Sequence, residues 1–133
     1  MGWRSQLGTN DELVRWNAKP YNTKAWMNVQ KKTRREILEE FLGKKPDDAF
    51  SRYGLAMEYV NNGDTAAADK QFRALLEHNP DYVPAYLMYA QMLAREARIG
   101  EAKQVLSSGI AAAAKTGNQH ARSEMEALLG DLG

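Results

Sequence analysis

A repeat with a period of 34 residues constrains this sequence more than any other feature. Leu38, Phe72 and Leu106 follow one another at that interval, and Pro46 and Pro80 do the same. Further pairs at the same spacing are Arg52 and Tyr86, Leu55 and Tyr89, Ala56 and Ala90, Tyr59 and Leu93, and Ala68 and Ala102. Self-similarity at a fixed period of this length is typical of proteins that stack one structural unit upon the next.

Helix start and stop signals divide the repeat into alternating helices. Thr33 and Glu36 have capping-box spacing, and Gly43 with Pro46 is expected to end the first helix. Later helices are expected to begin at Asp47 or Asp48, at Asp64 or Thr65, near Pro84, at about Glu101, and at Asn118. Apolar residues recur between these signals at helical spacing, and no strand pattern is present. The sequence therefore predicts an all-α fold.

Length, charge and composition exclude several classes of function. A chain of 133 residues allows one domain, and a net charge of +1 provides no strong field for nucleic acid or an anionic membrane. Cysteine is absent, so disulfides and zinc sites built on thiolates are excluded. No apolar run reaches the ~18 residues of a membrane span. We expect no nucleic-acid or membrane partner and, by default, a cytoplasmic location.

Catalysis finds no support in the sequence. The two histidines, His78 and His120, have no companion at the spacing of a metal site or a catalytic triad. Asp47 and Asp48 form an acidic pair, which we interpret as helix capping. We therefore expect a protein that is not an enzyme and has no cofactor and no metal site.

At this point the residues resemble the tetratricopeptide repeat family. Residues 49–82 and 83–116 resemble full repeats, residues 33–46 the second helix of a preceding repeat, and residues 118–132 the family's capping helix. Arg52 stands where the family favours Trp, and Ala114 replaces the closing Pro of the second repeat. The resemblance implies a short right-handed helical-repeat solenoid of antiparallel helix pairs, with about two and a half repeats in residues 31–133.

The resemblance also implies an inner groove, lined by the first helix of each repeat, that holds a peptide segment of a protein partner. Carried over to this sequence, the partner-binding residues are Phe50, Tyr53, Met57, Val60, Asn61, Leu87, Met88, Gln91 and Arg95. Aromatic and methionine side chains provide large, adaptable contact area. The resemblance thus implies a non-enzymatic adaptor. The alternative is that Tyr53 and Met57 pack against the preceding helix and expose little.

Two further expectations concern partners. Family members that hold acidic C-termini of chaperones place Lys, Asn and Arg along the groove, whereas Arg95 is the only cation among the nine positions here, so that mode of binding is not expected.

The rival function is structural self-association as a homodimer, with the groove or stack ends occupied by a second copy or by the N-terminal arm. That arm, residues 1–30, carries Trp3, Trp16 and Trp26 and is expected to be either a loose leader or a docked segment.

Overall fold

The computed structural model describes residues 32–133, and every structural statement below concerns that part of the chain. Internal contacts divide the chain into two units, Met1–Ile37 and Leu38–Gly133. The predicted leader, residues 1–30 with its three tryptophans, lies outside the described residues. Its state and the predicted domain boundary therefore stay predictions.

Six α-helices and no strand make up the described residues. The helices are α1 (Arg34–Lys44), α2 (Ala49–Asn61), α3 (Thr65–His78), α4 (Val83–Arg95), α5 (Ile99–Thr116) and α6 (Gln119–Asp131). Helix α1 continues past Gly43, which the sequence had predicted as its end, and α5 begins two residues before the predicted Glu101. The predicted all-α helical-repeat fold is confirmed.

Side chains at the expected positions begin four of the helices. The Thr33 hydroxyl accepts the Glu36 N–H at 3.2 Å. Asp48 accepts the Ser51 N–H at 3.0 Å, Asp64 accepts the Ala67 N–H at 3.2 Å, and Asn118 accepts the Ala121 N–H at 3.1 Å. Each such cap satisfies a backbone donor that the helix leaves free and is worth about 1 kcal/mol. The bonds from Ser51 also lower the pKa of the Asp48 carboxyl below its usual value.

Consecutive helices pack as pairs joined by short turns. Helix α2 packs on α3 and α4 packs on α5, while the contact between α3 and α4 joins the two pairs. Helix α6 packs on both α5 and α4. Because turns this short reverse the chain direction, the members of each pair are antiparallel.

Two clusters of buried side chains hold these helices together. The first is formed by Ala56, Ala68, Phe72, Leu75, Ala85, Tyr89, Met92, Leu93 and Ala102. The second is formed by Val83, Tyr86, Ala90, Leu106, Ala112, Ala113 and Met125. Phe72 and Tyr89 stack with ring centroids 5.0 Å apart. The fully buried alanines allow close approach of neighbouring helices, and the aromatic and long apolar side chains fill the space between pairs.

One hydrogen bond occurs at equivalent places in both repeats. The Arg52 guanidinium donates to the carbonyl oxygen of Pro46 at 3.0 Å, and the Tyr86 hydroxyl donates to that of Pro80 at 2.6 Å. Arg52 also donates to Gln71 at 2.8 Å, so it joins α2 to α3 and to the turn before α2. Arg52, which stands where the family favours Trp, thus makes the same connection as Tyr86 makes one repeat later.

Candidate partner-binding surface

We call the nine predicted partner-binding residues the inner surface. Five lie on α2 and four on α4, and none of the nine is fully buried. Pairs at the 34-residue spacing hold the same place on the two helices: Tyr53 and Leu87, Met57 and Gln91, Asn61 and Arg95. The set is mainly apolar, which is the composition that excludes water at the centre of an interface.

The α2 part of the inner surface is aromatic and apolar. Phe50, in the first turn, is 74% exposed, an unusual exposure for so large an apolar side chain. Tyr53, Met57 and Val60 are half-buried and pack against the first core cluster with one side. Their packing against the first core cluster also agrees with the alternative in which Tyr53 and Met57 expose little, so both interpretations stay predictions. Asn61 is exposed at the last helical residue.

Tyr82 is a neighbour of this region that the sequence analysis missed. Its ring lies 5.5 Å from that of Tyr53, centroid to centroid, at an interplanar angle of 50°. Burial, and then the presence of the other ring, raises the pKa of Tyr53 above its usual value. Tyr82 is the N-cap residue of α4, without a side-chain cap hydrogen bond, and so lies outside the helical stripe from which the candidates were taken. The short turn between Asn79 and Tyr82 was the available signal, since it places the Tyr82 ring beside α2.

The α4 part changes from apolar to polar along the helix. Met88 packs against the first core cluster and Leu87 against the second, with part of each side chain exposed. Gln91 follows one turn later, half-buried, and Arg95 is exposed in the last turn. A cation in the last turn of a helix is favoured by the helix dipole. The position of Arg95 therefore also agrees with a role in stabilising α4 alone.

A polar network lies on the other side of α4, where it meets α3 and α5. The Tyr89 hydroxyl donates to Asp69 at 2.5 Å and accepts from Arg73 Nε at 3.1 Å, while Asp69 also faces Arg98 at 3.4 Å. Arg98 in turn pairs with Glu101. Burial and the bond to Asp69 raise the pKa of Tyr89 to about 12. The network joins three helices.

A depression, which we call the outer groove, lies over the same junction. It has a volume of about 410 Å³ and is lined by Arg73, Leu76, Glu77, Tyr86, Tyr89, Gln104, Val105 and Ser108. It is a competing place for a ligand, as is a depression of the same volume lined by residues 78–82, and the residues of the outer groove provide matched controls.

The described residues contain no group of three or more His, Cys, Asp or Glu side chains arranged to hold a metal ion. His120 instead pairs with Glu124 on the same helix, with 2.6 Å between Nε2 and Oε1. Among residues 32–133, no helix has the length and apolar character needed to cross a membrane.

Repeated antiparallel helix pairs define the chain as an all-α helical-repeat protein. Residues 59–123 match the model of the tetratricopeptide repeat family. A TPR repeat-containing protein of Pseudomonas aeruginosa is 30% identical over 97 residues, which cover 73% of this chain and 92% of that protein. The chain therefore belongs to the tetratricopeptide repeat family.

Solved structures agree with this assignment. The solution structure of a tetratricopeptide repeat domain protein from Salinibacter ruber matches with a TM-score of 0.63 and 31% identity, covering 65% of this chain and 88% of that one. The solution structure of a protein from Bordetella parapertussis matches with a TM-score of 0.66 and 29% identity, covering 76% and 88%.

Proposed function

We propose that this protein is a non-enzymatic adaptor that binds an apolar or amphipathic peptide segment of a partner protein on its inner surface. The observation that carries the proposal is the unpartnered apolar area on α2 and α4, with Phe50 74% exposed and Tyr53, Met57, Leu87 and Met88 each partly exposed above the core. Tetratricopeptide repeat domains in general mediate protein–protein interaction, which is the coarser conclusion that membership in the family supports.

The chemistry of the surface favours a short anchored segment. Tyr53 and Tyr82 present two tilted rings, and such rings bind apolar and aromatic side chains with little loss of conformational entropy. Methionines at 57 and 88 adapt to irregular shapes. A few anchors of this kind carry most of the binding energy in peptide recognition.

The first test is selection from a random 12-residue peptide library displayed on phage, with the full chain as bait. The affinities of selected peptides are then measured by fluorescence anisotropy for the wild type and for Phe50→Glu. Because Phe50 is exposed and glutamate suits the first turn of a helix, the fold is expected to persist. Removing an apolar anchor and adding a charge should weaken binding by about tenfold or more.

The matched control is Gln104→Glu, which adds the same charge at an exposed residue of the outer groove. Its affinity should equal that of the wild type. If Gln104→Glu weakens binding and Phe50→Glu does not, the ligand lies in the outer groove and the proposal is wrong. If no peptide is selected, the adaptor function itself loses its support.

Self-association is the second candidate, because Phe41 and Phe50 are large apolar side chains that are 43% and 74% exposed. Sedimentation equilibrium of the full chain at high micromolar concentration distinguishes the two functions. A dimer that Phe50→Glu dissociates would favour the structural module. A monomer at every concentration would leave the adaptor as the function supported.

A further inference from the structure

Counting from the N-caps shows that α6 holds the same place in its repeat as α2 and α4. The caps are Asp48, Tyr82 and Asn118. The seventh residue after each cap is a large apolar side chain that is almost fully buried, namely Leu55, Tyr89 and Met125 at 3%, 5% and 0% exposure. Helix α6 is therefore the first helix of a third repeat in its packing.

Two other positions support this alignment. The third residue after each cap is small, as Ser51, Ala85 and Ala121. The eleventh is large and faces the core, as Tyr59, Leu93 and Leu129. Helix α6 also packs on α5 as α4 packs on α3.

A change of spacing hides the alignment in the sequence. The first two caps, Asp48 and Tyr82, are 34 residues apart, whereas Tyr82 and Asn118 are 36 apart. The difference arises because α5 has 18 residues where α3 has 14, while the turn that follows α5 is shorter. A strict period of 34 therefore places the side chains of α6 on the wrong faces.

In the corrected alignment, an exposed stripe on α6 continues the inner surface. We call it the α6 stripe, and it comprises His120, Glu124, Ala127 and Asp131, all exposed. Counted from the caps, His120 corresponds to Phe50, Glu124 to Met88, Ala127 to Met57 and Gln91, and Asp131 to Asn61 and Arg95. The carboxylates of Glu124 and Asp131 thus lie on the helix that follows the apolar area of α2 and α4 along one surface.

We propose that the partner segment bound by the inner surface carries a basic residue next to its apolar anchors, and that this residue pairs with the carboxylates of the α6 stripe. The inference rests on the proposed adaptor function. Glu124 lies in the middle of the stripe, where it pairs with His120 at 2.6 Å and keeps 46% of its side chain exposed. Asp131 is exposed at the C-terminal end of the stripe. Arg95 repels a basic residue from the end of α4, so the pairing occurs at α6.

Peptide selection also tests this inference, with the same 12-residue library and three baits. On the wild type, selected peptides should combine aromatic or aliphatic residues with an excess of Lys and Arg. On Glu124→Gln/Asp131→Asn, the apolar residues should persist and the basic excess should disappear. A selected basic peptide should bind this variant about three- to fivefold more weakly at low salt, since exposed pairs are worth at most about 1 kcal/mol each.

The matched control is Glu126→Gln. Glu126 lies on the same helix and forms the same kind of i,i+4 pair, to Arg122 at 2.7 Å, but it lies outside the stripe. Its peptides and affinities should equal those of the wild type, and raised salt should abolish the difference between wild type and stripe variant.

Each outcome decides the matter. Peptides without a basic excess, or an excess that Glu124→Gln/Asp131→Asn leaves unchanged, would overturn the inference while the adaptor function stands, provided that Phe50→Glu still weakens binding. If Glu126→Gln loses the basic excess and the affinity to the same extent, the effect comes from net charge rather than from the α6 stripe, and the inference is overturned as well. Failure to select any peptide would overturn both proposals.

Discussion

At Gly109, helix α5 approaches α4 and α6 so closely that no side chain fits. A methyl group built there would lie 2.5 Å from Tyr86 Cβ and 2.6 Å from Met125 Sδ. Tyr86 Cβ is fixed to its backbone, so α4 would have to move. Side-chain atoms of Tyr86 and Met125 that lie beside the α5 backbone make this close approach.

Gly109→Ala should therefore destabilise the protein by about 1–3 kcal/mol, because overpacking outweighs the helix propensity that alanine adds. Gly130→Ala is the control, since it lies within α6 with nothing within 4 Å of the added methyl group. Urea unfolding followed by circular dichroism measures both. A Gly109→Ala protein as stable as Gly130→Ala would show that α4 and α5 are not packed as described.

Ala97 occupies a backbone conformation that suits glycine. Its φ is 61°, and no other non-glycine residue among residues 32–133 has a positive φ. Gly63, one 34-residue period earlier, has φ 77° at the corresponding turn. The first repeat thus has glycine where the second has alanine.

Ala97→Gly should stabilise the protein by up to about 1 kcal/mol, because the strain of the left-handed conformation exceeds the entropy that glycine adds to the unfolded chain. Gly63→Ala should destabilise it by a comparable amount. Thermal unfolding of the two variants should give shifts of opposite sign. Shifts of the same sign would contradict the equivalence of the two turns.

At the scale of helices, the polar network joins α3 to α5 through Asp69 and Arg98, and α3 to α4 through the Tyr89 hydroxyl. The pKa of this hydroxyl, about 12, exceeds the value of about 10 expected in the unfolded chain. The folded state therefore holds this proton more tightly. The corresponding stability is fully present below pH ~10 and is lost as the pH rises toward 12.

Tyr89→Phe should cost about 1 kcal/mol at pH 7, because Asp69 loses a donor. Above pH ~10 the wild type should lose stability that the variant has no means to lose, so the difference between them should narrow. Urea unfolding at several pH values from 7 to 11 measures it. A constant difference across this range would mean that the hydroxyl is not held as described.

The helices were largely predictable because their signals are local. Asp48, Asp64 and Asn118 cap helices where the sequence placed them, and Gly117 ends α5 with φ 75°. The predicted end of α1 at Gly43 was wrong by one residue, because a glycine near a helix end permits the helix to stop without requiring it. Capping and breaking depend on a few neighbouring residues, whereas the exact end also depends on packing.

The surface was less predictable, for reasons that lie in tertiary structure. The 34-residue spacing placed Tyr53 and Leu87 on equivalent faces, whereas Tyr82 lies in a turn and α6 is displaced by two residues from that spacing. Both depend on how the helices pack rather than on any local pattern. Whether the nine predicted residues bind a partner stays a prediction.

At the scale of the whole molecule, we expect a peptide to bind across the first helices of successive repeats. The most direct measurement is an NMR titration of the ¹⁵N-labelled chain with a peptide selected from the library. We expect the amide signals that shift most to belong to the exposed faces of α2, α4 and α6, around Phe50, Met88 and Glu124. Shifts centred instead on Arg73, Gln104 and Ser108 would place the ligand in the outer groove and contradict this expectation.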